Sequence, residues 1–461
     1  MIQKKIEGHI TFEENDYLQP VYASRSMAKA IPKYRLPDTG MSPDEAYTLI
    51  HDQLILDGNV KLNLATFVTT WMEPQARKLI SETLDKNLID KDEYPQTAKI
   101  EEYCIKMIAK LWNTPDISNI IGCSTVWSSE ACMLAGLAMK RNWQRSMKIK
   151  GKKTDKPNLI IGINAQVCWK KFCNYWEIEM RTVKLEKGRY ILSPEEAIKL
   201  CDENTIGIIG ILGSTLTGEY EDIEKLDRLV DEHNRKTGYN ILIHVDAASG
   251  GFVAPFIDPK LVWDFRLKWV KSINASGHKY GLVYPGVEWA IWKDKKYLPG
   301  DIIFYVDYLG GQLPTLTLNF SKPGNQVIAQ YYNFLRLGFE GYKKIHKASQ
   351  QIAMHLAEQI GKLDEFEIIS RGNHLPVITW TIRKDAPFTL FELSDRLRHT
   401  GWQVPAYHFP ENLKDVQVMR VVVKEEFSRE MADLLFDDIK RATKFLTKKI
   451  TEEHKKLAFR H

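Results

Sequence analysis

Three short runs of uninterrupted apolar residues constrain this 461-residue chain more than any other feature: PNLIIG at 157–162, IGIIGIL at 206–212 and ILIHVD at 241–246. Each has the length of a strand and none alternates with polar residues. Both faces of such strands must be buried, which points to a parallel sheet with helices on either side. Between the second and third runs, Asp222 to His233 carries Ile223, Leu226, Leu229 and Val230 at helical spacing. The expected fold class is therefore α/β, with a large domain over residues 61–346 built on a mostly parallel sheet. Residues 1–60 are polar and broken by Pro32, Pro37, Gly40 and Pro43, which reads as an extended or short-helical N-terminal arm. Near Gly341 the character changes. Ile345 to Leu363 reads as one long helix, with strands around Val377–Trp380 and Gln417–Val423 after it. A final helix begins at an N-cap Ser428 and aligns Met431, Leu434, Leu435, Ile439, Ala442, Phe445 and Leu446. These elements form a small α+β C-terminal domain over 347–461, whose polar, basic end, Glu452–His461, is expected to be mobile.

Composition closes off several classes of function. The 64 basic and 59 acidic residues leave a net charge of +5, too small an excess on this length to indicate nucleic acid, though it suits a small anionic substrate. Cys104, Cys123, Cys132, Cys168, Cys173 and Cys201 form no CxxC pair and no disulfide framework, so reduced thiols in a cytoplasmic protein are expected. The polar opening residues lack the apolar stretch of a signal peptide. No apolar run approaches the roughly 20 residues of a membrane span.

Three features then converge on one chemistry. Lys279 lies in the glycine-flanked segment Ser276-Gly277-His278-Lys279-Tyr280-Gly281, directly after a strand-like stretch, where an amine can reach an aldehyde cofactor at the sheet edge. Taken singly it reads as readily as a surface lysine. Asp246 ends the third apolar run, so it lies at the carboxyl edge where open α/β sheets bind ligands. A carboxylate there can hold the protonated ring nitrogen of pyridoxal 5′-phosphate, and Ala247-Ala248-Ser249-Gly250-Gly251 beside it admits a flat ring. Trp127-Ser128-Ser129-Glu130 opens a helical stretch, where hydroxyls and free N–H groups can hold a phosphate or simply cap the helix. It is the order of the three, phosphate cradle, ring carboxylate and lysine, that gives them weight.

The segments from His244 to Phe252 and from Ser272 to Gly281 resemble the signatures of bacterial and plant glutamate decarboxylases, members of the group II pyridoxal-phosphate decarboxylases of fold type I (aminotransferase-like). The resemblance extends through Asn63–Phe67, Ile89–Pro95, Asp202–Gly207, Val262–Leu267 and Gly401–Ala406. It implies decarboxylation of L-glutamate to 4-aminobutyrate and carbon dioxide, with one proton consumed, a balance that suits acid resistance. It implies a Schiff base between Lys279 and the cofactor, Asp246 on the ring nitrogen, and Ala248 and Gln166 on the two ring faces. Ser128, Ser129 and Ser276 would bind the phosphate with His278 beside it, and Thr215 would contact the ring oxygen. Phe320 and Ser321 would reach the phosphate of a second subunit, making a homodimer the least functional unit, and the family also forms hexamers. Thr66 and Phe67, with Asn87 and Asp90 of the neighbouring subunit, would hold the substrate's distal carboxylate, and Arg420 its α-carboxylate. Tyr308 matches a mobile-loop tyrosine, and Lys279 or Tyr308 would return a proton to Cα. His461 matches a near-terminal histidine that closes the site as pH rises. A related acid, such as aspartate or cysteine sulfinate, and a non-catalytic binding role are the alternatives.

Four positions depart from the family pattern, one of them Lys170, at a variable site where some members have histidine. Trp127 and Glu288 stand where glycine is usual. The indole is expected to crowd the phosphate loop, and a glutamate would strain the turn if that position needs a positive φ. Leu216 also replaces a common tyrosine beside Thr215.

Overall fold

The computed structural model describes residues 34–308 and 311–458, leaving aside the side chains of 306–308, 311–313 and 449–458. The chain divides into two compact units after Asn59. In the first, helix α1 (Pro43–Leu54) starts at a reciprocal cap: Ser42 accepts from the Glu45 amide while the Glu45 side chain accepts from the Ser42 amide.

The second unit is built on a seven-stranded sheet. In chain order its strands are β1 (Ile121–Thr125), β2 (Asn158–Gly162), β3 (Glu179–Val183), β4 (Thr205–Ile211), β5 (Leu242–Asp246), β6 (Val270–Ser276) and β7 (Glu288–Trp292). Across the sheet they run β1-β7-β6-β5-β4-β2-β3. The stretch from β3 to β6 is parallel, and β7 is antiparallel to both β6 and β1. The three apolar runs became β2, β4 and β5, and every residue of each is buried. The helices of this unit up to β7 are α2 (Pro74–Glu82), α3 (Pro95–Leu111), α4 (Ser128–Ile149), α5 (Val167–Tyr175), α6 (Pro194–Lys199), α7 (Ile223–Thr237) and the single turn α8 (Ala254–Ile257). Helix α7 uses Asp222 as its N-cap and ends at Gly238 in the left-handed region (φ +70°).

A hairpin of β8 (Phe304–Tyr308) and β9 (Gly311–Thr315) follows. Helix α9 (Asn325–Ile360) then leads to a four-stranded antiparallel sheet ordered β10-β11-β13-β12. Those strands are β10 (Phe366–Arg371), β11 (Val377–Ile382), β12 (Ala406–His408) and β13 (Gln417–Val422), with α10 (Leu390–Arg398) and α11 (Arg429–Ala458) packed alongside. Leu356, Ile360, Trp380, Leu393, Leu435 and Ile439 form the core there.

One boundary is corrected. The helical run begins at Asn325 but is interrupted at Gly338 by non-helical backbone (φ +58°, ψ −172°), so the helix read as Ile345–Leu363 belongs to the second of two helical segments that meet at a kink, and it ends at Ile360. A positive φ costs glycine little, which lets the chain kink there. The last helix, α11, extends through Glu452 to Ala458. Its Glu, Lys, Leu and Ala residues are good helix formers.

Candidate active site

Every parallel strand delivers its carboxyl end to one edge of the large sheet. Because β7 runs the other way, its amino end arrives at that same edge. A cavity of about 190 Å³ lies there, lined by Ser128, Ser129, Asn164, Gln166, Val167, Cys168, Ile211, Gly213, Thr215, Asp246, Ala248, Ser249 and Lys279. Seven of the residues singled out from sequence, Ser128, Ser129, Gln166, Thr215, Asp246, Ala248 and Lys279, therefore share one wall.

Asp246, the last residue of β5, is buried and meets four donors. Trp169 Nε1 donates to Oδ2 at 2.8 Å, and the Cys132 thiol lies 3.7 Å from the same oxygen. The Ala248 amide donates to Oδ1 at 3.2 Å and Asn274 Nδ2 at 3.3 Å. Behind it, His244 Nδ1 pairs with Ser272 Oγ at 2.8 Å and Nε2 with Asn274 Oδ1 at 2.9 Å. Burial holds the His244 imidazole down at about 4, against the opposing pull of Asp246, so it is neutral and fixes the Asn274 amide.

Lys279 stands on the turn after β6. A Cβ on Gly281 would come within 2.6 Å of Gly277 Cα, so the loop closes this tightly only with glycines at both ends. Its Nζ reaches Ser249 Oγ at 3.3 Å and lies 5.7 Å from the centre of the Phe67 ring. Phe67 belongs to a strap held on both sides: Thr69 N bonds His278 O and Thr69 Oγ1 bonds Lys279 O, while Val422 N bonds Leu64 O. Thr66, beside it, accepts from the Val68 amide at 3.1 Å. Arg420 of β13 also lies against this ring, with its guanidinium carbon 4.9 Å from the centroid.

Arg420 does not reach out to water. It is 8% exposed, and its ends donate to the carbonyls of Thr215 and Ala65, leaving Nε buried without a partner. A buried cation held by neutral carbonyls, with a donor to spare, is an incomplete anion site.

The phosphate cradle differs from expectation in two respects. The N-cap of α4 is Trp127, whose side chain cannot cap, and not either serine, so Ser128 and Ser129 lie in the first turn. The Trp127 indole, 46% exposed, packs edge-on against His278 with ring centres 4.9 Å apart and is not among the residues lining the cavity. His278 gives Nδ1 to Val287 O at 2.7 Å, and burial holds it down at about 4. Ser128 Oγ lies 2.9 Å from Ser276 Oγ and 3.0 Å from Glu288 Oε2. Glu288 adopts an extended conformation as the first residue of β7 and shows no positive φ; that property belongs to Gly286 (φ +119°). The expected strain at Glu288 is therefore absent. Leu216, in place of tyrosine, offers its carbonyl to Tyr407 Oη and Thr379 Oγ1, each at 2.9 Å.

Four further residues lie apart from this wall. Asn87 Nδ2 reaches Ser321 Oγ at 3.4 Å and Asn87 Oδ1 accepts from the Lys322 amide, which groups Asn87, Asp90, Phe320 and Ser321 on an exposed surface. Asn319 ties that loop to the first turn of α4 by two 3.0 Å bonds to Glu130. Tyr308 ends β8, with its side chain outside the described residues, as is the whole of His461. Trp169, Asn274, Cys132, Ser249 and Glu288 were not anticipated. Only the Glu288 departure from the family pattern gave any signal.

The site's chemistry is that of a flat, anionic, electron-withdrawing cofactor: a fixed carboxylate, an amine, a small residue to admit a ring, and hydroxyls at a free helix start. A family model described as the pyridoxal-dependent decarboxylase conserved domain matches residues 37–383. The chain is 52% identical over 437 residues to the glutamate decarboxylase of Aliivibrio fischeri, covering 94% of each. It is 50% identical to that of Petunia hybrida over 92% of this chain and 85% of the relative. A solved glutamate decarboxylase from Lactobacillus brevis superimposes with a TM-score of 0.90 at 48% identity, over 93% of this chain and 98% of that one. A rice TDC solved with PLP and tryptamine, 14% identical with a TM-score of 0.77, shares the fold.

Proposed function

This chain belongs to the pyridoxal-dependent decarboxylase family, and on that footing we propose that it converts L-glutamate to 4-aminobutyrate and carbon dioxide, taking up one proton per turnover. The observation that carries the reading is the gathering of Lys279 and Arg420 around Phe67: the amine lies 5.7 Å and the buried guanidinium carbon 4.9 Å from the centre of one ring. That arrangement suits an amino acid whose α-amino group meets the cofactor while its α-carboxylate meets Arg420. About half of the residues are identical to those of named glutamate decarboxylases, which supports glutamate as the substrate.

When bound, pyridoxal phosphate supplies an aldehyde for the amine and a protonated ring that accepts the electron pair released at Cα. The chain's residues do the rest. Asp246, held by its four donors, keeps the ring nitrogen protonated. Ala248 and Gln166 cover the two ring faces, and Thr215 contacts the ring oxygen. Ser128, Ser129 and Ser276 hold the phosphate, with the neutral His278 beside them. Phe320 and Ser321 of the partner subunit would complete that end, so the working unit is at least a homodimer. Thr66 and Phe67, with Asn87 and Asp90 of the partner subunit, hold the distal carboxylate. Arg420 would hold the α-carboxylate and so fix which bond at Cα is presented for cleavage. Ser249 holds the Lys279 amine, and Lys279 or Tyr308 returns the proton to Cα. The proton uptake suits acid resistance, and His461 is proposed to close the site as pH rises. The free cysteines of the described chain suit the cytoplasm.

The test is a substrate panel of L-glutamate, L-aspartate and cysteine sulfinate, with product identification in deuterium oxide. Monodeuterated 4-aminobutyrate from glutamate alone is the expected result. Turnover of another acid in its place, or cofactor binding without turnover, overturns the reading.

A further inference from the structure

Glu288 is a fully buried carboxyl to which the reading above gives no task. It opens the antiparallel β7 at the cofactor edge, paired in register with Thr125 of β1 and Ser276 of β6. Its Oε1 accepts from Asn274 Nδ2 at 2.8 Å. Its Oε2 faces Ser128 Oγ at 3.0 Å, and that hydroxyl is 2.9 Å from Ser276 Oγ. The ionisable groups around it are Lys279, Asp246 and the Cys132 thiol of α4, with neutral His278 bonded to the preceding residue, Val287.

A phosphate on these serines sits one hydroxyl away from this carboxyl. Ser128 has a single proton to give. An ionised Glu288 can only accept, so it takes that proton, and the hydroxyl turns its lone pairs toward the incoming anion. A Glu288 protonated on Oε2 donates to Ser128 Oγ instead, and the Ser128 proton then points at the anion. Asn274 already occupies Oε1 as a donor, which leaves Oε2 as the oxygen that carries the proton. Repulsion between a carboxylate and a phosphate in a water-poor site acts in the same direction.

We propose that Glu288 is a positioning residue that sets the polarity of the phosphate cradle: the cofactor phosphate is held when Glu288 carries a proton on Oε2, and its seating draws one proton from solvent. Burial, reinforced by Asp246 and opposed by Lys279, Ser276 and Asn274, pushes this carboxyl up to about 7, so the uptake falls near neutral pH. The inference rests on the cofactor assignment above.

The test compares full-length holoenzyme, wild type and Glu288→Gln, dialysed to equilibrium between about pH 5.5 and about pH 8.5 with released pyridoxal phosphate measured by absorbance. Glutamine keeps a donor toward Ser128 but cannot ionise. All other titrations, including those of the cofactor and Lys279, are shared, so the ratio of dissociation constants, wild type over variant, isolates Glu288. That ratio is expected to climb about tenfold per pH unit above neutrality. Glu288→Ala, which also cannot ionise, repeats the comparison if the glutamine variant does not fold. Phosphorus-31 NMR of the bound phosphate should shift with pH in the wild type and stay flat in the variants. A ratio independent of pH overturns the proposal and leaves the cofactor assignment standing. A wild-type protein that holds no cofactor overturns both.

Discussion

Two buried acids stand at one edge of the sheet, and their surroundings are opposites. Asp246 is met by donors on every side: an indole, an amide N–H, an asparagine amide and a thiol. Glu288 has one committed donor, Asn274, and two serine hydroxyls, Ser128 and Ser276, that can turn either way. Asn274 donates to both acids, so a single amide stands between Asp246 and Glu288. The difference shows how one edge can serve two demands: a carboxylate with a full set of donors to face a cation, and a carboxyl short of donors to face an anion.

Breaking the Asp246 end should have the largest effect. Asp246→Ala removes one half of a buried charge pair, worth about 3–5 kcal/mol, and should lower kcat/KM by about 10²–10⁴-fold. Steady-state kinetics in excess cofactor reads this directly. The Glu288 end should appear in stability. Its folded pKa, about 7, lies above the ordinary glutamate value, so its contribution is fully present below the ordinary value and lost as pH rises through about 7. Between about pH 5 and about pH 8 the wild type should lose about 3 kcal/mol relative to Glu288→Gln, seen in denaturant midpoints of both proteins. Trp169→Phe removes one donor from Asp246 and should weaken cofactor retention about tenfold, the worth of one hydrogen bond to a charged group, with little pH dependence. Tyr407→Phe is the mildest change. It removes the bond to Leu216 O beside Arg420, and KM should rise only a few-fold, as expected for about 1 kcal/mol.

What could be read from the sequence was local. Asp246, Lys279 and Ser128 each follow a strand and stand next to residues that disclose a turn or helix start, so their place at the sheet edge follows from strand direction alone. Trp169 looks like any apolar helix residue, and its bond to Asp246 joins positions 77 apart. Asn274 lies inside a strand, and its two acids lie on neighbouring strands. The antiparallel course of β7, which brings Glu288 to the cofactor edge, leaves no mark in a run of five buried residues. Arg420 in an apolar strand has the same sequence signature whether it reaches water or, as here, stays buried on two carbonyls.

Lys279 is proposed to hold the cofactor at this edge. Borohydride reduction of the holoenzyme, followed by peptide mass spectrometry, tests it most directly. A pyridoxyl phosphate adduct on Lys279, abolished by prior release of the cofactor, is the predicted result. An adduct on another lysine, or a cofactor-loaded protein that yields none, would contradict it.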